Sequence, residues 1–272
     1  MLRHTDKFEA SLSEISDSLL APLSDQPRTW LLGRALDEFV SDLRALDEAA
    51  EGMVFGAPRP NIVEPVDSAI PTVVDGSLLV SGQQVMQTWE TPLMQAMAEQ
   101  VAGPDRSVLE IGFGLGISAG YIQKHRPAHH TIVEANPQVF ETAVEWSRAA
   151  GRENMEIVFG KWQDVIGSLG RFDGIFFDTY PLDEAEFESH FLGGSTYAEH
   201  FFPAAAEHLT EGGSFTYYSN EIDSLSRRHQ RSLMSYFRSI RMRVVDGLQP
   251  PPDCSYWWAP SMVVVTASEP RH

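Results

Sequence analysis

Ser107-Val108-Leu109-Glu110-Ile111-Gly112-Phe113-Gly114-Leu115-Gly116-Ile117 is the stretch whose reading decides the fold. Val108, Leu109 and Ile111 make its first five residues a short apolar run, the pattern of a buried strand. Glycines at 112, 114 and 116 then let the backbone turn and pass close to a ligand, where side chains would collide with it. Helical spacing follows as far as about Lys124, so the unit reads strand, glycine turn, helix. A dinucleotide fingerprint needs glycine at its first, third and sixth positions. The sixth position here is Ile117, which argues against hydride transfer.

Working outward, the same alternation repeats. Strands are expected at 131–134, 155–159, 174–178, 214–218, 241–245 and 262–266. Helices are expected over 137–150, 197–209 and 224–238. Strands alternating with helices imply an α/β, mostly parallel sheet covered on both faces. The last two strands, joined by a short return, suggest an antiparallel edge hairpin. This is the order of a seven-stranded, Rossmann-like class I methyltransferase fold, assigned to residues 76–272. Ahead of it, Phe8, Leu12, Ile15 and Leu19 recur at helical spacing, as do Leu32, Ala35, Phe39, Leu43 and Leu46. Pro22 and Pro27 separate those two segments. Pro58, Pro60, Pro65 and Pro71 make 56–71 a linker or wrapping arm. Residues 1–75 are therefore expected to form a helical N-terminal extension, acting as a lid or a dimer contact.

The chain has 272 residues, 38 Asp and Glu against 20 Lys and Arg, and a net charge of -18. No basic cluster stands out that would neutralise phosphates, so nucleic acid and anionic membrane are expected to be poor partners. A single cysteine, Cys254, precludes an internal disulfide. No apolar run approaches the roughly 18 residues that span a bilayer, and the N-terminus has no apolar signal core. A cytoplasmic protein is expected, with no metal site and with a homodimer as one option.

Four motifs carry a resemblance: Val85 to Met94 around Trp89-Glu90-Thr91-Pro92; Leu109 to Gly114; Phe172-Asp173-Gly174-Ile175 with Asp178 to Leu182; and Pro250-Pro251-Pro252-Asp253-Cys254-Ser255-Tyr256. In order and spacing, over about Leu78 to Thr266, they resemble the guanidinoacetate N-methyltransferase family. The resemblance implies a guanidino methyltransferase using S-adenosylmethionine. It also implies that the two carboxylates gripping the guanidinium group are those of Glu90 and Asp178. The chemistry is consistent. Guanidinium is delocalised and stays charged far above neutral pH. Paired acids can hold it with forked hydrogen bonds, localise its charge and take a proton as nitrogen attacks. We expect Asp178 to be the base and Glu90 the anchor.

The cofactor site is expected on Glu110, Gly112, Gly114 and Gly116, with Glu134 at the end of the second strand accepting from the ribose hydroxyls. Trp162 and Gln163 follow the third strand, where adenine would lie, although core packing explains Trp162 equally well. Thr179, Tyr180 and Asn220 are placed beside the substrate. The family's creatine-forming members hold the substrate carboxylate just after the fifth strand, where this chain has Ser219-Asn220-Glu221-Ile222-Asp223. Acids there would repel guanidinoacetate and attract an α-ammonium group. Glu221 is thus expected to read the amino-acid end of free L-arginine, with guanidinoacetate or a protein arginine as alternatives.

Overall fold

Ser107–Ile111 forms strand β4 and pairs in parallel with β5 (His129–Glu134) on one side and β7 (Phe172–Phe177) on the other. The structure is a computed structural model and describes residues 59–149 and 151–271; the helical segments expected within 6–51 lie outside these residues. β6 (Met155–Phe159) lies beyond β5, and β8 (Leu209–Tyr217) beyond β7. β9 (Phe237–Asp246) and β10 (Ser261–Pro270) complete a seven-stranded sheet of order β6-β5-β4-β7-β8-β10-β9. β10 runs antiparallel between β8 and β9, so the expected hairpin is present with its later strand inside and β9 at the edge.

Alternation along the strands builds two cores. Val108, Phe176, Met262 and Val264 face α1 (Thr91–Val101), while Leu109, Ile175, Phe177 and Val263 face the opposite layer. α2 (Ile117–Lys124) packs on α1, and α3 (Pro137–Ala149) lies beside β6. α4 (Phe202–His208) and α5 (Arg227–Tyr236) cover the second face. These strand side chains are 0–1 % exposed, and burying each apolar side chain contributes roughly 1.5–3 kcal/mol. That burial is why the apolar run read as a strand at Ser107–Ile111 holds here.

Several boundaries differ from expectation. The helix expected at 224–238 ends at Tyr236, because Phe237 turns extended and fully buried to open β9. The helix expected at 197–209 is a tight turn, Tyr197–Phe201, continued by α4. Ahead of the main sheet lies a small antiparallel one, β1 (Thr72–Val74), β2 (Ser77–Val80) and β3 (Gln83–Gln87). It was not foreseen. The boundary drawn at residue 75 also falls too late. Ile62, Val66 and Ala69 are buried in the same core as α1, and Asn136 Nδ2 donates to the carbonyls of Val66 and Ala69 at 2.8 Å each. The proline-rich stretch is a strap packed on the fold. No described helix is long and apolar enough to cross a membrane.

Arg227, Arg228, Arg231, Arg238, Arg241 and Arg243 are all exposed on α5 and β9, with no acid between 227 and 243. They do not share one face: α5 covers one side of the sheet, whereas Arg243 pairs with Glu99 of α1 on the other at 3.1 Å.

Candidate active site

A cleft of about 1070 Å³, part of it open to solvent, lies at the carboxyl ends of β4, β5, β7 and β8. Ligands bind at this end in open parallel sheets. Asp67, Glu90, Glu134 and Asp178 line it, and among the described residues no Lys, Arg or His does. The cleft is built for cations.

Its floor is the glycine loop. Gly112 has φ +91°, and a Cβ there would lie 2.2 Å from the Asp178 carbonyl oxygen. At Gly114 a Cβ would lie 2.7 Å from Met86 Sδ. Both positions therefore stay bare, leaving backbone at the cavity surface. Gly116 plays a different part. It starts α2 in the left-handed region, where a Cβ would meet the Phe113 ring, and it does not border the cleft.

Glu134 ends β5 at the cleft wall. Phe113 N donates to its Oε2 at 2.9 Å and Asn136 N to its Oε1 at 2.8 Å. Burial raises its pKa, and these amides oppose that rise. Each oxygen keeps a lone pair for a ribose hydroxyl. Glu110, by contrast, is fully buried and absent from the cleft wall. Ser118 Oγ donates to its Oε1, and His130 Nε2 lies 2.8 Å from its Oε2, in contact but out of line for a hydrogen bond. Its expected cofactor contact is therefore corrected: the carboxylate points beneath the loop, and Ser118 reaches the cleft instead.

A smaller cavity shares Gly112, Glu134, Thr179 and Tyr180 with the main one and is walled on its far side by Gly160 to Gln163. Trp162 packs edge-on against Phe177 and Phe201, with centroids 6.3 and 4.9 Å away, so it serves the core as well as the cavity wall. Gln163 is exposed, its Nε2 3.4 Å from Glu186 Oε1.

The two acids meet in the main cleft. Glu90 ends the tight turn Thr88–Glu90 ahead of α1, where Pro92 suits the opening helical turn. It is 2 % exposed, and its Oε1 accepts from Gln87 N at 2.7 Å and from the Tyr256 hydroxyl. Tyr256 stacks on Trp89 with centroids 6.0 Å apart, fixing the phenol. Burial pushes the Glu90 pKa up to about 7, against the two hydrogen bonds that lower it. Asp178 follows β7, and among the described residues no donor reaches its carboxylate. Burial, then the charges of Glu90 and Glu110, push its pKa well above the usual carboxylate range. Thr179 borders both cavities, and the Tyr180 hydroxyl donates to Gln83 Oε1 at 3.0 Å. Asn220, at φ +58°, also lines the cleft.

Glu221 does not. Its Oε1 accepts from Ser226 N and from His229 Nδ1, both at 3.1 Å, and it is absent from the cleft wall. His229 is fully buried, with Nε2 2.6 Å from the Tyr217 hydroxyl. An imidazole donating from Nδ1 to Glu221 and accepting at Nε2 from Tyr217 satisfies all three groups. Glu221 thus anchors the start of α5 and lies off the cleft wall, away from where the sequence placed it. Sequence reading also missed Tyr218 and Asp67, both on the cleft wall.

Sheet order, glycine floor and acid-lined cleft together define a class I methyltransferase, whose cofactor is S-adenosylmethionine. The guanidinoacetate N-methyltransferase family model matches residues 68–269, and the chain belongs to that family. It is 34% identical over 163 residues to protein arginine N-methyltransferase 2 of Aspergillus fumigatus, a match covering 57% of this chain and 38% of that protein. To the protein of the same name from Yarrowia lipolytica it is 34% identical over 134 residues, covering 44% and 28%. The matched region thus spans well under half the length of these relatives. Among solved structures, spermidine synthase from Thermotoga maritima superposes with TM-score 0.50 at 18% identity, covering 71% of this chain and 64% of that one. A spermidine synthase in complex with the transition-state analogue AdoDATO gives 0.52 at 17%, covering 74% and 73%. At that identity the likeness concerns the fold alone.

Proposed function

We propose that this chain methylates a guanidino nitrogen of arginine, with free L-arginine as the small-molecule substrate. The observation that carries this reading is the pair Glu90 and Asp178, two buried acids in one cleft with no cation on its wall among the described residues. A guanidinium group supplies the missing charge and enough N–H donors for both.

When bound, S-adenosylmethionine supplies an electrophilic methyl group. Gly112 and Gly114 would lie under its methionine part and Glu134 against its ribose. Glu90 holds one edge of the guanidinium; its Oε1 already serves Gln87 and Tyr256, which fixes the carboxylate and leaves Oε2 for substrate. Asp178 has no donor of its own among the described residues, so its carboxylate is the one free to act as base. It takes the proton that the attacking nitrogen gives up as the new N–C bond forms. Such help is worth roughly 10²–10⁴ in rate.

Arginine is favoured over guanidinoacetate by the chemistry of the wall. Guanidinoacetate carries a carboxylate one carbon from its guanidino group, which would sit among four acids with no cation among the described residues to meet it. Arginine's three-carbon stem keeps its α-carboxylate farther from Glu90. The same stem suits an arginine within a polypeptide, a second reading favoured by the names of the fungal relatives.

Transfer of labelled methyl from the cofactor should be measured for L-arginine, guanidinoacetate and an arginine-containing peptide. Highest kcat/KM with L-arginine supports the first reading, and highest with the peptide the second. Turnover of guanidinoacetate alone refutes both.

A further inference from the structure

Tyr218 is the first residue beyond β8, and its carbonyl accepts from Thr196 Oγ1 at 3.2 Å. Its ring borders the same cleft as Glu90 and Asp178. The hydroxyl oxygen is buried and has no hydrogen-bond partner among the described residues. Burial first, and then the charges of Glu90 and Asp178, hold the phenol well above its ordinary pKa, so it is neutral and protonated at working pH.

An unpaired buried hydroxyl costs free energy in the empty protein. The neighbouring tyrosines show the contrast: the hydroxyls of Tyr180, Tyr197, Tyr217 and Tyr256 each have a protein partner. Tyr218 alone among these five keeps an idle polar atom, and it keeps it beside the two acids.

We propose that the Tyr218 hydroxyl is a third substrate-binding group, accepting an N–H from the guanidinium held by Glu90 and Asp178. This rests on the guanidino reading given above. Two acids alone would hold any compact cation. A third acceptor on the cleft wall favours the flat, many-donor guanidinium over an ammonium or amidine, because a site built to hydrogen-bond an N–H rejects ligands lacking it. Tyr218 contributes to binding and selection, with no proton transfer assigned to it.

Tyr218→Phe tests this by giving opposite signs in two assays. It removes a group that is unpaired in the free protein, so the melting temperature should hold or rise. KM for the guanidino substrate should increase roughly ten- to a hundred-fold, the loss of one hydrogen bond to a charged group. Affinity for S-adenosylhomocysteine should stay unchanged, and kcat should fall by less than KM rises. A lowered melting temperature with unchanged KM would assign Tyr218 a structural role and overturn the proposal, as would unchanged KM at unchanged stability. Wild-type protein that binds the cofactor yet methylates no guanidino compound would overturn the reading beneath it. Active wild-type protein with an indifferent Tyr218→Phe would overturn the Tyr218 proposal alone.

Discussion

Replacing Glu90 with glutamine should make the free protein more stable and the enzyme far worse. The glutamine carbonyl can still accept from Gln87 N and Tyr256, since both donate to Oε1 in the native protein. The buried negative charge is lost, and an amide NH2 takes the place of Oε2. Burial lifts the Glu90 pKa from 4.5 to about 7. At pH 8 the ionised carboxylate therefore costs the folded state on the order of 3 kcal/mol, taking about 1.4 kcal/mol per tenfold. The sign follows from linkage. Between 4.5 and about 7 the folded state binds more protons than the unfolded one, so this cost grows as pH rises through that window. It vanishes below about pH 4.5. Glu90→Gln should thus melt roughly 6–12 °C above wild type at pH 8, at about 2–4 °C per kcal/mol for a fold of this size. The gap should narrow markedly by pH 5. In the same preparation kcat/KM should fall by roughly 30- to 5000-fold, the range for removing one partner from a buried charge pair. Differential scanning calorimetry across pH, with steady-state rates, provides both readings. A variant that melts at or below wild type at pH 8, or a gap that ignores pH, would refute the electrostatic account of this site.

Three further outcomes follow from the geometry. Asp178→Asn should lower kcat by roughly 10²–10⁴ while calorimetry shows cofactor affinity little changed, because no backbone contact of Asp178 is altered. Gly112→Ala places a Cβ 2.2 Å from the Asp178 carbonyl at φ +91°; it should destabilise the fold by roughly 1–3 kcal/mol in denaturant titration and weaken cofactor binding. Glu221→Ala strips the Ser226 amide and buried His229 of their acceptor; stability should drop by roughly 1–3 kcal/mol while KM for L-arginine stays near wild type, and a large rise in KM would restore Glu221 to the substrate site.

The parts of this protein legible in sequence were those governed by local pattern. β4, the glycine turn and β5 could be placed because apolar runs and bare glycines leave few other structures open, and Glu134 followed as the residue ending β5. Glu90 came from its motif resemblance, since nothing local distinguishes a buried acid ahead of a helix from an exposed one. Side-chain direction was not legible. Glu110 and Glu134 both occur at strand ends, yet one carboxylate turns under the loop to Ser118 and His130 and the other faces the cleft. Glu221 looked like a loop acid free to meet substrate; Ser226 at the start of α5 and His229 three residues on were the signal that it had a structural partner. The strap was obscured because four prolines mask the spacing of Ile62, Val66 and Ala69. Tyr218 read as one more aromatic after an apolar strand, and only the packing around it exposes its unpaired hydroxyl.

The central claim is that Glu90 and Asp178 present a guanidino nitrogen to the methyl donor. Fragmentation mass spectrometry of the product from S-adenosylmethionine and L-arginine tests it most directly. One added methyl group should be borne by the guanidino fragment and be absent from reactions with Asp178→Asn. A methyl group on the α-amino or carboxyl end, or undiminished product from Asp178→Asn, would contradict it.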